Sequence, residues 1–222
     1  MKAVLFDLYG TLIDIHTNEE SFSFWKKFAK KTKKYKEYDY LELKLEYLNV
    51  CAKYQHKKEE IEILDVFTEL FNVDISIAKK IAVIFRKAST EYIRLYKGVK
   101  DLLKELRQAN VSIYALSNAQ SSFTINEIKK LGIYDFFDRI AISSDYGIKK
   151  PNKEFYKNAI NDFKINDYEL YMVGNDYECD IAPSKELGIK TIFIASNLTF
   201  KYQEKKDLDS FDKIKIKKMI IE

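Results

Sequence analysis

The chain opens on a short apolar run, residues 3–6, that ends on a carboxylate, Asp7, and turns through Gly10 and Thr11. Such a run reads as a buried strand. A carboxylate at the carboxyl end of a parallel strand stands where open α/β sheets gather their reactive groups. The rest of the chain must therefore supply more strands of that kind.

It does so only after a long interruption. Residues 18–95 contain neither glycine nor proline and are rich in Lys, Glu, Leu, Ile and aromatics. They read as helical throughout, with Leu41, Leu45 and Leu48, and again Ile77, Ile81 and Ile84, at helical spacing. Ser21 is a cap for a helix through Phe24, Trp25 and Phe28, and Asp74 or Ser76 for the helix beginning at Ile77. The lysines of residues 26–36 read as the solvated face of a helix whose apolar side is Trp25, Phe28 and Tyr35. From Gly98 onward strands and helices alternate: strands at 111–116, 139–142, 169–173 and 191–194, helices at 99–106, 125–131, 153–163 and 182–187. The alternation predicts an α/β fold, a parallel sheet with helices on both faces. Residues 213–217 alternate Lys and Ile like an edge strand. The predicted organisation is a catalytic core of residues 1–14 and 97–222, with an all-helical insertion over residues 15–96.

Composition narrows the function. The net charge of +4 rests almost wholly on lysine, and the only arginines are Arg86, Arg94, Arg107 and Arg139. That argues against nucleic-acid recognition, which favours arginine. No apolar stretch approaches a membrane span or a signal-peptide core. Cys51 and Cys179 read as free thiols of a cytoplasmic protein. The expected partner is a small anionic molecule.

The groups for handling such a molecule lie at four strand ends: Asp7, then Ser117 and Asn118, then Lys150, then Asp176 and Asp180. In a parallel sheet all four ends face one crevice. Asp7 can attack an electrophile and split one hard step into two. Mg²⁺ held by Asp7, Asp176 and Asp180 would shield the carboxylate from an anionic substrate. The Ser117 hydroxyl can bind the transferring oxygens, and Lys150 supplies a fixed positive charge.

As a set, these residues resemble the haloacid dehalogenase-like hydrolase superfamily. The run 7–11 (Asp-Leu-Tyr-Gly-Thr) is similar to its first motif, 116–118 to its second, 147–151 to its third and 174–180 to its fourth. The resemblance implies a Rossmann-like core, a covalent aspartyl intermediate, Mg²⁺ bound with help from the Tyr9 backbone carbonyl, and a helical cap inserted between the first two motifs. Asp7, Tyr9, Thr11, Ser117, Asn118 and Lys150 are then the catalytic positions, and Asp7, Tyr9, Asp176 and Asp180 the metal positions. In the fourth motif Asn175 competes with Asp176 for the first acidic place.

Tyr9 departs from the phosphatase pattern, which places a second Asp there as general acid and base. A phenol is a poor substitute for a carboxyl in that cycle. The 2-haloacid dehalogenases of the family carry tyrosine at this point, and Tyr156 also matches them. They receive the halide on a cap arginine, however, and no arginine precedes Arg86 here. The paired acids of the fourth motif favour a Mg²⁺-dependent phosphatase acting on good leaving groups. Dehalogenation, a non-catalytic regulatory member and C–P bond cleavage by a cap lysine are the alternatives. Asp14 reads as a turn or hinge residue, His16 as a residue of the same hinge that could face the site but as a lone histidine is not a ligand, His56 as solvent-facing and Cys179 as packing.

Overall fold

The computed structural model describes residues 1–199 and 205–222. Seven strands occur among them: β1 (Lys2–Phe6), β2 (Ile13–Thr17), β3 (Thr90–Leu95), β4 (Ser112–Ser117), β5 (Arg139–Ile142), β6 (Glu169–Gly174) and β7 (Lys190–Phe193). Five of them form a parallel sheet in the order β5-β4-β1-β6-β7. The central strand is β1, and its residues 3–6 are fully buried. Alternation along it feeds two cores. Val4 and Phe6 pack with Leu102, Leu103 and Leu106 of α5 (Val99–Gln108); Ala3 and Leu5 pack with Phe155, Tyr156 and Ala159 on the other face. Each large side chain so buried contributes roughly 1.5–3 kcal/mol.

Between β1 and β4 the chain builds α1 (Phe22–Thr32), α2 (Tyr40–Gln55), α3 (Ile63–Phe71) and α4 (Ile75–Ser89). Ser21 accepts a hydrogen bond from Phe24 N, and Asp74, not Ser76, caps α4. These helices share a core of their own centred on Trp25, Phe28, Phe67 and Phe85. Phe123 of α6 (Ser121–Lys130) stacks on Phe85 and joins it. The remaining helices are α7 (Ser143–Tyr146), α8 (Lys153–Phe163), α9 (Ala182–Glu186) and α10 (Lys213–Ile221). No described helix is long and apolar enough to cross a membrane. Both cysteines carry free thiols.

Two sequence expectations are corrected. Residues 90–95 are not helical: they form β3, which pairs antiparallel with β2 in a ribbon joining the helical insert to the sheet. Leu41, Leu45 and Leu48 lie in a helix as their spacing predicts; their side chains are exposed, and α2 buries Leu43, Val50 and Cys51. Residues 213–217 open α10 and do not form an edge strand. Asp212 caps the helix, and Ile216 and Ile220, one turn apart, are fully buried. The i, i+4 pair Ile216 and Ile220 extends past the alternation and sets the helical face, Ile214 stays exposed, and lysine is a good helix former.

Candidate active site

The ends of β1, β4 and β6 and the loop after β5 meet at one edge of the sheet. Asp7 directly follows β1, and only 7% of it is exposed. Lys150, from the loop beyond β5, places its Nζ 2.8 Å from Asp7 Oδ1, 2.6 Å from Asp180 Oδ1 and 2.9 Å from Leu116 O. Two buried carboxyl groups thus share one buried ammonium. Burial works against the charged lysine; Asp180 and Asp7 outweigh it and hold Lys150 above the usual lysine value. Burial likewise pushes Asp180 above the usual carboxylate range, against the pull of Lys150. Gly174 makes room for this packing. A Cβ there would stand 2.3 Å from Asp180 Oδ2.

The second oxygen of Asp7 is held by Thr11, whose hydroxyl lies 3.1 Å away. Asn175 meets the same oxygen. With its nitrogen inward, the amide donates to Asp7 Oδ2 (3.2 Å), Tyr9 O (3.2 Å) and Thr11 Oγ1 (3.1 Å). Gly10, with φ +90°, admits it: a Cβ on Gly10 would stand 2.3 Å from that amide. Turned about, the amide oxygen would lie 3.2 Å from both Asp7 Oδ2 and Tyr9 O. Adjacent oxygens around octahedral Mg²⁺ are about 3.0 Å apart, the edge that follows from bonds near 2.1 Å. The donor set Asp7, Tyr9 carbonyl and Asn175 therefore fits Mg²⁺, with a single carboxylate in it.

The structure thus places the fourth motif differently from the sequence expectation. Asn175, not Asp176, reaches Asp7. Asp176 Oδ1 accepts from Cys179 N, at the start of the π-helical turn Tyr177–Ile181, and Asp180 uses its oxygens on Lys150 and on Asp176 N. Among the described residues, no three His, Cys, Asp or Glu side chains converge as a metal cluster. Asn118 spends its side chain on the loop that carries Lys150. Its amide pairs twice with the Lys150 backbone, at 2.8 Å each, and so positions the lysine. The Ser117 hydroxyl is buried and has no hydrogen-bond partner among the described residues.

Tyr9 carries an arrangement that the sequence did not reveal. Its hydroxyl donates to Glu127 Oε2 (2.5 Å) and lies 3.0 Å from Thr124 Oγ1, both on α6. Burial first, and then Glu127, push the phenol well above its usual value. Arg86 of α4 grips the same carboxylate, with Nε 2.6 Å from Oε1 and Nη2 3.3 Å from Oε2. Its guanidinium also faces the rings of Tyr9 and Phe123. Arg86 was visible in the sequence as an arginine of the helical insert; its partner, more than forty positions away on another element, was not. Of the remaining candidates, Asp14 is buried and bound by Arg94 and Asn197, His16 pairs with Glu91 at the surface, and His56 is exposed. Burial pushes the Cys179 thiol up to about 12, which suits packing and not attack.

Two cavities adjoin. The first, of about 200 Å³, is lined by Asp7, Ser117, Lys150, Asn175 and Asp176. The second, of about 360 Å³, lies between the helical insert and α6. Tyr9 and Asn118 line both.

The sequence model of haloacid dehalogenase-like hydrolases matches residues 1–188. A glyceraldehyde 3-phosphate phosphatase of Pyrococcus abyssi is 30% identical over 102 residues, which are 46% of this chain and 43% of that protein. The chain thus spans about half the length of the curated relatives it matches. Two solved structures share the fold over nearly the whole chain at 19% identity. One is a HAD phosphatase of Thermococcus onnurineus, with TM-score 0.63 over 99% of this chain and 97% of that one. The other is a 2-haloacid dehalogenase of Pseudomonas syringae, with TM-score 0.65 over 94% and 93%.

Proposed function

The chain belongs to the haloacid dehalogenase-like hydrolases, and on that premise we propose that it is a phosphatase of small phosphorylated compounds with Asp7 as nucleophile. One observation carries this reading. Asp7, oriented by Lys150 and Thr11, opens on a small cavity beside the unpartnered hydroxyl of Ser117. The phosphatase names among the relatives support it.

In the proposed reaction a carboxylate oxygen of Asp7 attacks phosphorus and the bond to the leaving oxygen breaks. The electron pair leaves with that oxygen. Lys150 and Ser117 stabilise the equatorial oxygens during transfer. Water then attacks phosphorus, Asp7 departs as carboxylate, and the water proton passes to solvent. Mg²⁺ held by Asp7, the Tyr9 carbonyl and Asn175 would supply charge neutralisation between nucleophile and substrate. Residues 15–96 would serve as the lid over the site.

Tyr9 keeps its proton and aims it at Glu127, so the phenol does not protonate the leaving group. The enzyme should therefore favour leaving groups that depart as anions, such as acyl or aryl phosphates. Replacing Tyr9 by Phe is expected to change kcat on an aryl phosphate by less than about threefold and to cost about 1 kcal/mol of stability. A hundredfold loss of kcat would instead give the phenol a part in the chemistry.

Asn175 supplies a second check. In Asn175→Asp a second carboxylate faces Asp7, so the metal-free protein should melt lower and Mg²⁺ should bind at least about tenfold tighter. Calorimetric titration and the Mg²⁺-dependent rise in Tm read both effects. Equal affinity in the two proteins would remove Asn175 from the donor set.

Tyr9 and the neutral Asn175 amide also favour a second reading, displacement of halide from a 2-haloacid. Phosphate release from aryl phosphates that stops in EDTA supports the first reading. Chloride release from 2-chloropropionate that persists in EDTA supports the second.

A further inference from the structure

We infer that the cavity beyond Tyr9 selects leaving groups ending in a cation or a hydrogen-bond donor, and rejects those that carry a second anion. The inference names the substrate class for the phosphatase reading and rests on that reading.

The lining provides the argument. Glu19 and Glu60 present carboxylates to the cavity, and Arg86 is the one cation in its lining among the described residues. Arg86 is already spent: Glu127 binds it through two atoms, and Glu19 lies 3.8 Å from its Nη1. An incoming anion would have to displace Glu127 from Arg86, and from Tyr9 as well. Gln120 offers no spare donor, since its Nε2 donates to Ile61 O and to Glu60 Oε1, 3.3 Å away, while its Oε1 accepts from Ile63 N. Glu60 accepts from Ser143, and Lys149 acts on it from the core side. Glu19 accepts from Ser89, and its one cation is Arg86, 3.8 Å away and held more closely by Glu127, so Glu19 gains from a new cation. Burial pushes both carboxyls above their usual values, as expected where positive charge is in short supply. Phe85 and Phe123, stacked 6.2 Å apart, form an apolar wall for the body of the group.

The test uses two aryl phosphates of similar shape and phenol acidity, the phosphate esters of tyramine and of 4-hydroxyphenylacetate. The tyramine ester should show the higher kcat/KM, by at least about tenfold, because like charges brought together at a site are strongly disfavoured. Glu19→Gln should bring the ratio to within about threefold, with its Tm recorded to confirm folding. Binding of the two free phenols, measured by calorimetry, tests the cavity without turnover. Preference for the tyramine ester that Glu19→Gln abolishes supports the inference. Phosphate release at equal rates, or faster from the carboxylate ester, overturns it and leaves the phosphatase reading intact. Tighter binding of tyramine with no phosphate release from either ester overturns the phosphatase reading and keeps the cavity preference. Equal binding of the two phenols with no release overturns both.

Discussion

Asp7→Asn is expected to lower kcat by roughly 10⁴-fold or more on any substrate the enzyme turns over, because a carboxamide cannot form the covalent intermediate. The loss should fall on kcat and not on folding. Asp7 shares Lys150 with Asp180, so the variant still pairs the lysine with one carboxylate. It also removes one of two negative charges crowded around a single ammonium. Its Tm should therefore stay the same or rise. Retained activity would take the nucleophile's role from Asp7, and a large loss of stability would show that the cluster depends on both carboxylates. Calorimetric melting and steady-state kinetics on the same preparation separate these outcomes.

Lys150→Met should have the largest effect on stability. It leaves Asp7 and Asp180 buried with no cation between them. Removing one partner from a buried ion pair costs about 3–5 kcal/mol. The urea midpoint should fall accordingly, with activity lost as well. Adding Asp180→Asn should restore part of the stability, because one of the two uncompensated charges is then gone while Asp7 remains, and activity stays absent. A single variant as stable as the parent would mean that solvent, not Lys150, balances the two acids.

The sheet was legible because a fully buried strand has a simple signature. The run 3–6 is apolar on both faces, and the later strands repeat that texture at regular intervals. Asp7, Ser117 and Lys150 were legible for the same reason: each follows a recognisable strand, and a parallel sheet leaves those ends nowhere else to go. The choice between Asn175 and Asp176 was not. Neighbouring residues beyond a strand point in different directions, and the direction depends on the turn that follows. Here Asp176 bends back to cap that turn, and Asn175 faces Asp7. Glu127 was hidden because the Tyr9 hydroxyl finds it across the fold, 118 positions along the chain. The exposed Leu41, Leu45 and Leu48 show a further limit. Periodicity locates a helix but does not say which of two apolar faces is buried.

The most direct test of the central claim is chemical trapping of the intermediate. The enzyme is mixed with excess aryl phosphate and Mg²⁺, quenched in acid, treated with borohydride and digested for peptide mass spectrometry. An aspartyl phosphate is reduced to homoserine. Homoserine at position 7, absent when substrate is omitted, is the predicted result. An unmodified Asp7 under conditions of steady phosphate release would contradict the account.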